Sequence, residues 1–289
     1  MSKRILIVLV VFILGSAMKS DRQAYQFFNL KGNETGYKEV LNTALGSDIV
    51  FFGELHDSPI CHWLELELTK DLYSEKKENL VIGAEMFESD NQLLLDEYLS
   101  GKIRERNFED EAKLWKNYKT DYKPLVRFAL ENKIPFIATN IPRRYASLVN
   151  KSGLEALDSL SVKAKSLLPP LPIVYDPELK GYKELVRMMK ENGGHDTLNI
   201  AKAQAVKDAT MAYFILQNWK EGKIFIHYNG TYHSDNFEGI VWYIRQEMPD
   251  LRIMTISSVE QEGLDTLAKE NASLADFILC IPSSMCKTY

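Results

Sequence analysis

The sequence predicts an α/β protein with a doubly wound, mainly parallel sheet, helices on both faces and a helical insertion. Three observations support this fold class. Short apolar runs recur along the chain, segments with helical spacing of apolar residues separate them, and one Pro- and Gly-rich stretch interrupts the alternation. Alternating strands and helices are typical of a parallel sheet that is covered on both faces.

Six apolar runs predict the strands. Each run is continuous rather than alternating, which indicates a strand that is buried on both faces of a parallel sheet. In chain order they are Asp48–Leu55, Leu80–Phe87, Ile134–Asn140, Lys223–Asn229, Arg252–Val259 and Asp276–Ile281.

Helical segments lie between these runs. The longest has alanines at helical spacing, which predicts a face of small residues that packs closely against a neighbour. The predicted helices are Ile60–Leu72, Ser89–Leu99, Tyr122–Asn132, Leu198–Trp219 and Asn236–Glu247.

Residues 21–289 are expected to form a single α/β domain, with a helical insertion at about 150–195. The insertion contains Pro169-Pro170-Leu171-Pro172 and ends in a Gly-rich loop. Long insertions at the edge of a sheet often act as lids or binding walls. We therefore expect the stretch from Tyr175 to His195 to overhang the carboxyl edge of the sheet.

The first 20 residues are typical of a signal peptide or an N-terminal anchor. Lys3 and Arg4 are followed by an apolar stretch from Ile5 to Leu14 and then by small residues. This stretch is shorter than the about 20 apolar residues that a membrane span needs. The pattern predicts an exported, periplasmic or envelope-associated protein. A lipid anchor is not expected, because no Cys follows the apolar stretch.

The overall charge argues against a nucleic-acid partner. The chain has a formal net charge of -5 and no basic run interleaved with aromatic residues. Its three cysteines are Cys61, Cys280 and Cys286, and their spacing matches no zinc or redox motif. Cys280 and Cys286 either pair in an oxidising compartment, or Cys280 is a small buried residue of a strand.

Polar side chains follow three of the predicted strands. One strand runs into Gly53-Glu54-Leu55-His56, and a later one runs into Gly230-Thr231-Tyr232-His233. Between them, a third strand leads into Glu85. Ligands of open α/β sheets bind outside the carboxyl ends of the strands. We therefore expect His56, Glu85 and His233 to converge in one pocket.

Further polar groups are expected near the same edge. Asn140 ends the third strand, and Arg143 follows it at a position suited to pairing with a carboxylate ligand. Gln204, Lys207 and Asp208 share one face of the longest helix by their spacing. That face is functional if it points toward the sheet and has no role if it points to water.

A metal-dependent hydrolase is one function that these residue types allow. His56 and His233 would bind a divalent cation such as zinc, with Glu54 or Glu85 as the third ligand. The other carboxylate would then act as the general base on bound water. Motifs for nucleophilic serine hydrolases, P-loops, dinucleotide binding and covalent haem attachment are absent from the sequence.

Five short segments recur between about Asp48 and Gly239 at the ends of the predicted strands and on the longest helix: Phe52–Asp57, Gly83–Phe87, Ala138–Tyr145, Ala203–Ala212 and Asn229–His233. In this order they resemble the motifs of the ChaN-like haem-binding lipoproteins. The paired Gly-x-x-His elements and the strand-end Glu also resemble the Tiki and TraB-like proteins and the erythromycin esterases.

The ChaN-like resemblance implies an envelope protein of haem or iron uptake, with a possible outer-membrane receptor as partner. It implies ferric haem bound at a homodimer interface, where a Tyr ligates iron and a His of the other subunit contacts a propionate. Tyr145 lies in a matching segment and is the first candidate ligand; Tyr122 and Tyr182, which lie outside the matching segments, are the alternatives. The other expected haem contacts are His56, His233, Arg143 and Asn140. The Tiki-like and esterase-like resemblance instead implies a metal-dependent protease or a His-based hydrolase. In that alternative, Glu54, His56, Glu85 and His233 are the candidate metal-site residues.

Overall fold

The computed structural model describes residues 22–191 and 197–289, and an eight-stranded sheet lies at its centre. The strand order is β2-β1-β8-β7-β3-β6-β4-β5. The six strands from β8 to β5 are parallel, whereas β1 and β2 add to one edge in antiparallel pairs. The strands are β1 (Gln26–Asn29), β2 (Glu34–Thr35), β3 (Ile49–Glu54), β4 (Leu80–Glu88), β5 (Phe136–Asn140), β6 (Ile224–Gly230), β7 (Ile253–Gln261) and β8 (Phe277–Pro282).

Helices cover both faces of the sheet. Helices α1, α2 and α5 pack on one face, and α9 and α10 pack on the other. The α-helices are α1 (Tyr37–Leu45), α2 (Pro59–Lys76), α3 (Gln92–Leu99), α4 (Glu105–Glu111), α5 (Lys123–Asn132), α6 (Arg143–Ser152), α7 (Val162–Lys165), α8 (Lys180–Glu191), α9 (Thr197–Asn218) and α10 (Ile240–Glu247).

The predicted fold class is confirmed, and all six predicted strands are present. β3 shows why its sequence is continuously apolar: Val50 and Phe52 face one hydrophobic cluster, while Ile49 and Phe51 face the other. Each such side chain contributes about 1.5–3 kcal/mol when it is fully buried. The short edge strands β1 and β2 were not predicted.

The predicted helices are also present, with small shifts at their ends. The helix expected from Asn236 begins only at Ile240, because Gly239 before it has a φ of 57° and Asn236 a φ of 59°, both outside the right-handed helical region. In the described part of the insertion, α8 packs against α9 through Tyr182, Ala201 and Ala205.

Residues 1–20, the predicted signal peptide or anchor, and His195 lie outside the described residues. Among the helices in the described ranges, none is long and apolar enough to cross a membrane. Cys280 is buried in β8, Cys286 is exposed, and both are free thiols.

Gly83 of β4 allows a close approach of the neighbouring strand, and its replacement tests this packing. A Cβ built on Gly83 would lie 2.6 Å from Cε1 of Phe225, whose ring is fully buried. We expect Gly83→Ala to lower the free energy of unfolding by about 1–3 kcal/mol, because the ring has no free space to enter. Urea unfolding measures the change. Gly263→Ala is the control, since nothing lies within 4 Å of its added Cβ; equal losses in both variants would contradict this account.

Candidate functional site

The carboxyl ends of the parallel strands open into one cavity of about 860 Å³, here called the strand-end cavity. The register of β3 and β6 places Glu54 opposite Gly230, and that of β4 and β5 places Glu88 opposite Asn140. The predicted polar residues are therefore brought together by strand pairing. Those that line the cavity are Glu54, His56, Glu85, Asn140, Arg143 and His233.

His56 presents one ring nitrogen to this cavity. Its Nδ1 lies 2.5 Å from Oε1 of Glu54, and its side chain is about one-third exposed (34%). The Nε2 atom has no hydrogen-bond partner among the described residues, and the Trp115 ring lies edge-on at 4.8 Å between ring centroids. A Cβ on Gly230 would lie 2.8 Å from Nε2, so this glycine leaves room for the imidazole. With Nδ1–H donated to Glu54, Nε2 is free to act as a ligand or a base.

Glu54 is a buried carboxyl group whose Oε1 atom contacts two hydrogen-bond donors, the His56 ring and the Tyr122 hydroxyl. The Tyr122 hydroxyl donates to Oε1 at 2.7 Å, from the π-helical turn Tyr118–Tyr122. Burial and the nearby Glu65 carboxylate raise the pKa of Glu54 to about 8. Burial alone would lower the pKa of His56, but the contact with Glu54 outweighs it and the net shift is upward.

His233 lies between two carboxylates and is fully buried. Its Nδ1 contacts Oδ1 of Asp208, and its Nε2 lies 3.2 Å from Oε1 of Glu85. Burial opposes the charged form, but the two carboxylates outweigh it and raise the pKa of His233 to about 10. His233 is therefore an imidazolium at neutral pH, with both nitrogens engaged.

The two carboxylates around His233 have further partners. The backbone N–H of Gly230 donates to Oε2 of Glu85 at 2.9 Å. Although burial opposes it, the charge of His233 holds the pKa of Glu85 well below its usual range. The Tyr182 hydroxyl donates to Oδ2 of Asp208 at 2.7 Å, and burial raises the pKa of that carboxyl.

The predicted face of α9 points toward the cavity. Gln204 and Lys207 line the cavity, and the side-chain amide of Gln204 lies 3.0 Å from Nε2 of His233. Asp208, on the same face, makes the contact with His233 described above. The spacing on this helix therefore pointed to residues that border the cavity.

The expectation that the insertion forms a wall or lid of the cavity is wrong for its described part. No residue of 150–191 is among those that line the cavity. The insertion instead supplies the hydroxyl of Tyr182 and the carbonyl of Gly181, which accepts the Tyr232 hydroxyl at 2.5 Å. The wall comes from Lys113, Leu114 and Trp115, in a loop that follows α4 and has no strand or helix signal in its sequence.

Tyr145, the candidate haem ligand, does not line the cavity. It lies on α6, and its partly buried ring packs against a hydrophobic cluster that includes Ile141 and Val149. The Arg144 guanidinium lies 4.5 Å from the centre of the ring. The tyrosines that do line the cavity are Tyr232 and Tyr289. Ligation by Tyr145 thus stays a prediction.

The sequence matches the family described as haem-binding uptake, Tiki superfamily, ChaN, over residues 40–244. The chain belongs to this family. The match confirms the resemblance identified from the five motif segments and supports a haem-binding role. Among curated proteins, no match was found.

Solved structures with similar folds include three informative examples. A structure described as cofacial heme binding to ChaN of Campylobacter jejuni has a TM-score of 0.66 at 18% identity, covering 88% of this chain and 96% of that one. An erythromycin esterase variant in its open conformation has a TM-score of 0.52 at 13% identity, covering 91% and 98%. A Bacillus cereus protein has a TM-score of 0.50 at 14% identity, covering 85% and 90%. At these identities the likenesses show the fold alone.

The imidazolium of His233 predicts a pH dependence of stability. The folded-state pKa of about 10 exceeds the about 6.5 expected for an unfolded chain. The stabilisation is therefore fully present below about pH 6.5 and is lost as pH rises through about 10. We expect His233→Gln to lose that component, so its free energy of unfolding should fall less steeply over this interval in urea titrations.

The matched control for this experiment is His227→Gln. Burial lowers the pKa of His227 to about 4, so that residue is neutral throughout the interval. The control should keep the wild-type slope. Equal slopes in wild type and His233→Gln would contradict the imidazolium assignment.

Proposed function

We propose that this protein binds ferric haem in the strand-end cavity and serves haem or iron uptake. The observation that carries the proposal is the composition of this cavity in a chain of the haem-binding uptake family. Its volume of about 860 Å³ lies within the range of about 300–1,000 Å³ that ligand pockets occupy. An oriented imidazole, an apolar wall and cationic side chains line the same space.

The apolar wall suits the porphyrin and the cations suit its propionates. Leu114, Trp115 and Ile141 offer apolar surface. Arg143 and Lys207 line the cavity without an ion pair in the described part of the chain, and either can pair with a propionate carboxylate. His56, with Nε2 free, is placed to contact the iron or a propionate.

The proposed iron ligand is a tyrosine phenolate, a group that ligates haem iron in catalase. The Tyr232 hydroxyl is occupied by the Gly181 carbonyl, whereas the Tyr289 side chain lines the cavity, is exposed, and has no hydrogen-bond partner among the described residues. We therefore favour Tyr289 for a haem inside the cavity. Tyr145 is suited only to a haem that lies over the outer surface of α6.

We further propose that the haem complex is a homodimer of the cell envelope. The open cavity would let two haems meet face to face between two copies, as the family resemblance implies. We also propose that residues 1–20 direct export, and that haem is passed to or from an outer-membrane receptor. Transfer of haem between proteins requires an open site rather than an enclosed one.

The ligand assignment is tested by titrating the protein with hemin and recording absorbance spectra. We expect saturable binding by the wild type. We expect Tyr289→Phe to remove the tyrosinate charge-transfer band and to weaken hemin binding by about tenfold or more, since loss of even a supporting group around a metal weakens its binding by about 10–100-fold. Tyr145→Phe is measured in parallel. Tyr213→Phe, in a separate cavity beside α10, is the control and should bind as wild type.

Each outcome of that titration has a distinct meaning. Loss of the band in Tyr145→Phe alone would move the haem to the surface of α6. Absence of saturable hemin binding by the wild type would overturn the haem proposal itself. Sedimentation with and without hemin tests the dimer, which should form or tighten when hemin is added.

A second candidate function is hydrolysis by general acid–base chemistry. The observation that favours it is a pair of imidazole–carboxylate contacts, His56 with Glu54 and His233 with Asp208, that meet at one cavity. His56 has a free nitrogen that accepts a proton, and Arg143 and Lys207 line the same cavity, where their charge can stabilise a developing negative charge. Because both nitrogens of His233 face carboxylates, a metal ligand role for it would require displacing a proton. We therefore favour a metal-independent form of this alternative.

The second candidate is tested with p-nitrophenyl esters of different acyl chains. We expect wild-type turnover above the buffer rate, and a drop of about 10²–10⁴-fold in His56→Gln, which loses the proton acceptor. Tyr213→Phe should retain the wild-type rate. Equal turnover by wild type and His56→Gln would rule out hydrolysis through this residue.

A further inference from the structure

A second polar cluster lies behind the strand-end cavity, between β3 and α2. Its members are Glu54, His62 and Glu65. The latter two are three residues apart on α2 and therefore share one face of the helix. All three are buried, with exposed fractions of 1%, 7% and 1%.

The spacing of the donor atoms suits a metal ion. Nδ1 of His62 lies 3.4 Å from Oε2 of Glu65 and 3.5 Å from Oε2 of Glu54. The three donor atoms all lie within 4.8 Å of one another. Bonds of about 2.0–2.2 Å at tetrahedral angles separate ligand atoms by about 3.3–3.6 Å, so the observed contacts match two edges of such a site.

The other face of His62 fixes its orientation. Nε2 lies 3.1 Å from the backbone carbonyl of His56 and 3.5 Å from Oδ2 of Asp121. Asn117 donates to both of these acceptors, at 2.9 Å and 2.7 Å. Nε2 faces only acceptors, so a metal-bound His62 would keep its proton there and use Nδ1, which faces the two carboxylates, as the ligand atom. Ligating histidines of metal sites are held in the same way.

Two oxygen atoms of the buried carboxyl groups in this cluster lack a partner. Oε2 of Glu54 and Oε1 of Glu65 are buried without any hydrogen-bond partner. Among the described residues, neither carboxylate forms an ion pair with Lys or Arg. Buried carboxylates without compensation are strongly unfavourable. If both carboxyl groups are ionised and the imidazole is neutral, one divalent cation would balance their charge.

We propose that Glu54, His62 and Glu65 bind a divalent transition-metal ion in the interior of the protein. One imidazole and two carboxylates suit Zn²⁺, Mn²⁺ or Fe²⁺ rather than a soft ion that prefers thiolates. Glu54 also lines the strand-end cavity, which gives the ion a route from solvent. The site is distinct from a metal bound by His56, Glu85 and His233, and it does not depend on haem binding.

The shared carboxylate would couple this ion to the cavity, a consequence that rests on the proposed function. Oε1 of Glu54 holds Nδ1 of His56 and the Tyr122 hydroxyl, while Oε2 faces the cluster. A cation on Oε2 would fix the carboxylate and with it the His56 ring.

The test uses the full chain, stripped with a chelator and then supplied with Zn²⁺ or Mn²⁺ in the absence of hemin. Bound metal is measured by elemental analysis after desalting, together with the melting temperature. We expect about one ion per chain and a higher melting temperature for wild type, as metal binding stabilises the folded state. His62→Gln and Glu65→Gln should bind less than about a tenth of that amount.

Two controls locate the ion. Glu67→Gln, on the same helix but paired with Lys70 at the surface, should bind as wild type. His233→Gln should also bind as wild type, since it alters only the cavity. Loss of metal in His233→Gln with retention in His62→Gln would place the ion in the cavity and overturn the proposal.

Two further results keep the test decisive. If wild type binds no metal and its melting temperature does not change, the proposal is overturned. The cluster would then be held together by protons that its members share. If His62→Gln does not fold, pulsed electron paramagnetic resonance of the Mn²⁺-loaded wild type replaces it. One coupled imidazole nitrogen is expected for this site, whereas two would indicate the cavity. Neither readout involves hemin, so failure here is separate from failure of the haem proposal.

Discussion

The burial of carboxylates at the carboxyl edge of the sheet is the constraint on which the rest of this structure depends. A buried carboxylate is costly unless donors surround it. Glu54 receives Tyr122 and His56, and Glu85 receives the N–H of Gly230 and the charge of His233. These donors come from three separate segments of the chain. These interactions require that the sheet, the π-helical turn and the Gly-x-x-His elements pack against one another. Together they form the floor of the cavity.

The same constraint gives the two histidines of the cavity opposite characters. His233 is enclosed by Glu85 and Asp208, so both of its nitrogens are engaged and it stays charged at neutral pH. His56 has one carboxylate neighbour and one open side, so its Nε2 remains available to a ligand. The repeat of Gly-x-x-His in the sequence thus encodes two different chemical groups, and the difference arises from the elements that pack around each one.

The fold and the floor of the cavity could be predicted because they follow from local patterns. Continuous apolar runs identify buried parallel strands, and the strand-end rule places His56, Glu85 and His233 together. The wall of the cavity could not be predicted in this way. Trp115 lies in a loop and Tyr289 follows the last strand, and neither segment has a hydrophobic periodicity that indicates where it lies. His62 and Glu65 were overlooked for another reason. Their helix was identified from its leucines, and a His and a Glu three residues apart look like ordinary surface residues until burial is known.

Glu54 is the point at which the cavity and the interior meet. Its Oε1 atom faces the donors of the cavity floor, and its Oε2 atom faces His62 and Glu65. Donors on the cavity side alone would stabilise Oε1 and leave the burial of Oε2 uncompensated. The desolvation cost of both oxygens is offset if each has a positively polarised partner. Those partners would be Nδ1–H and a hydroxyl for Oε1, and a cation for Oε2. On this reasoning, the chemistry of His56 depends on a residue of α2 that never contacts the cavity ligand.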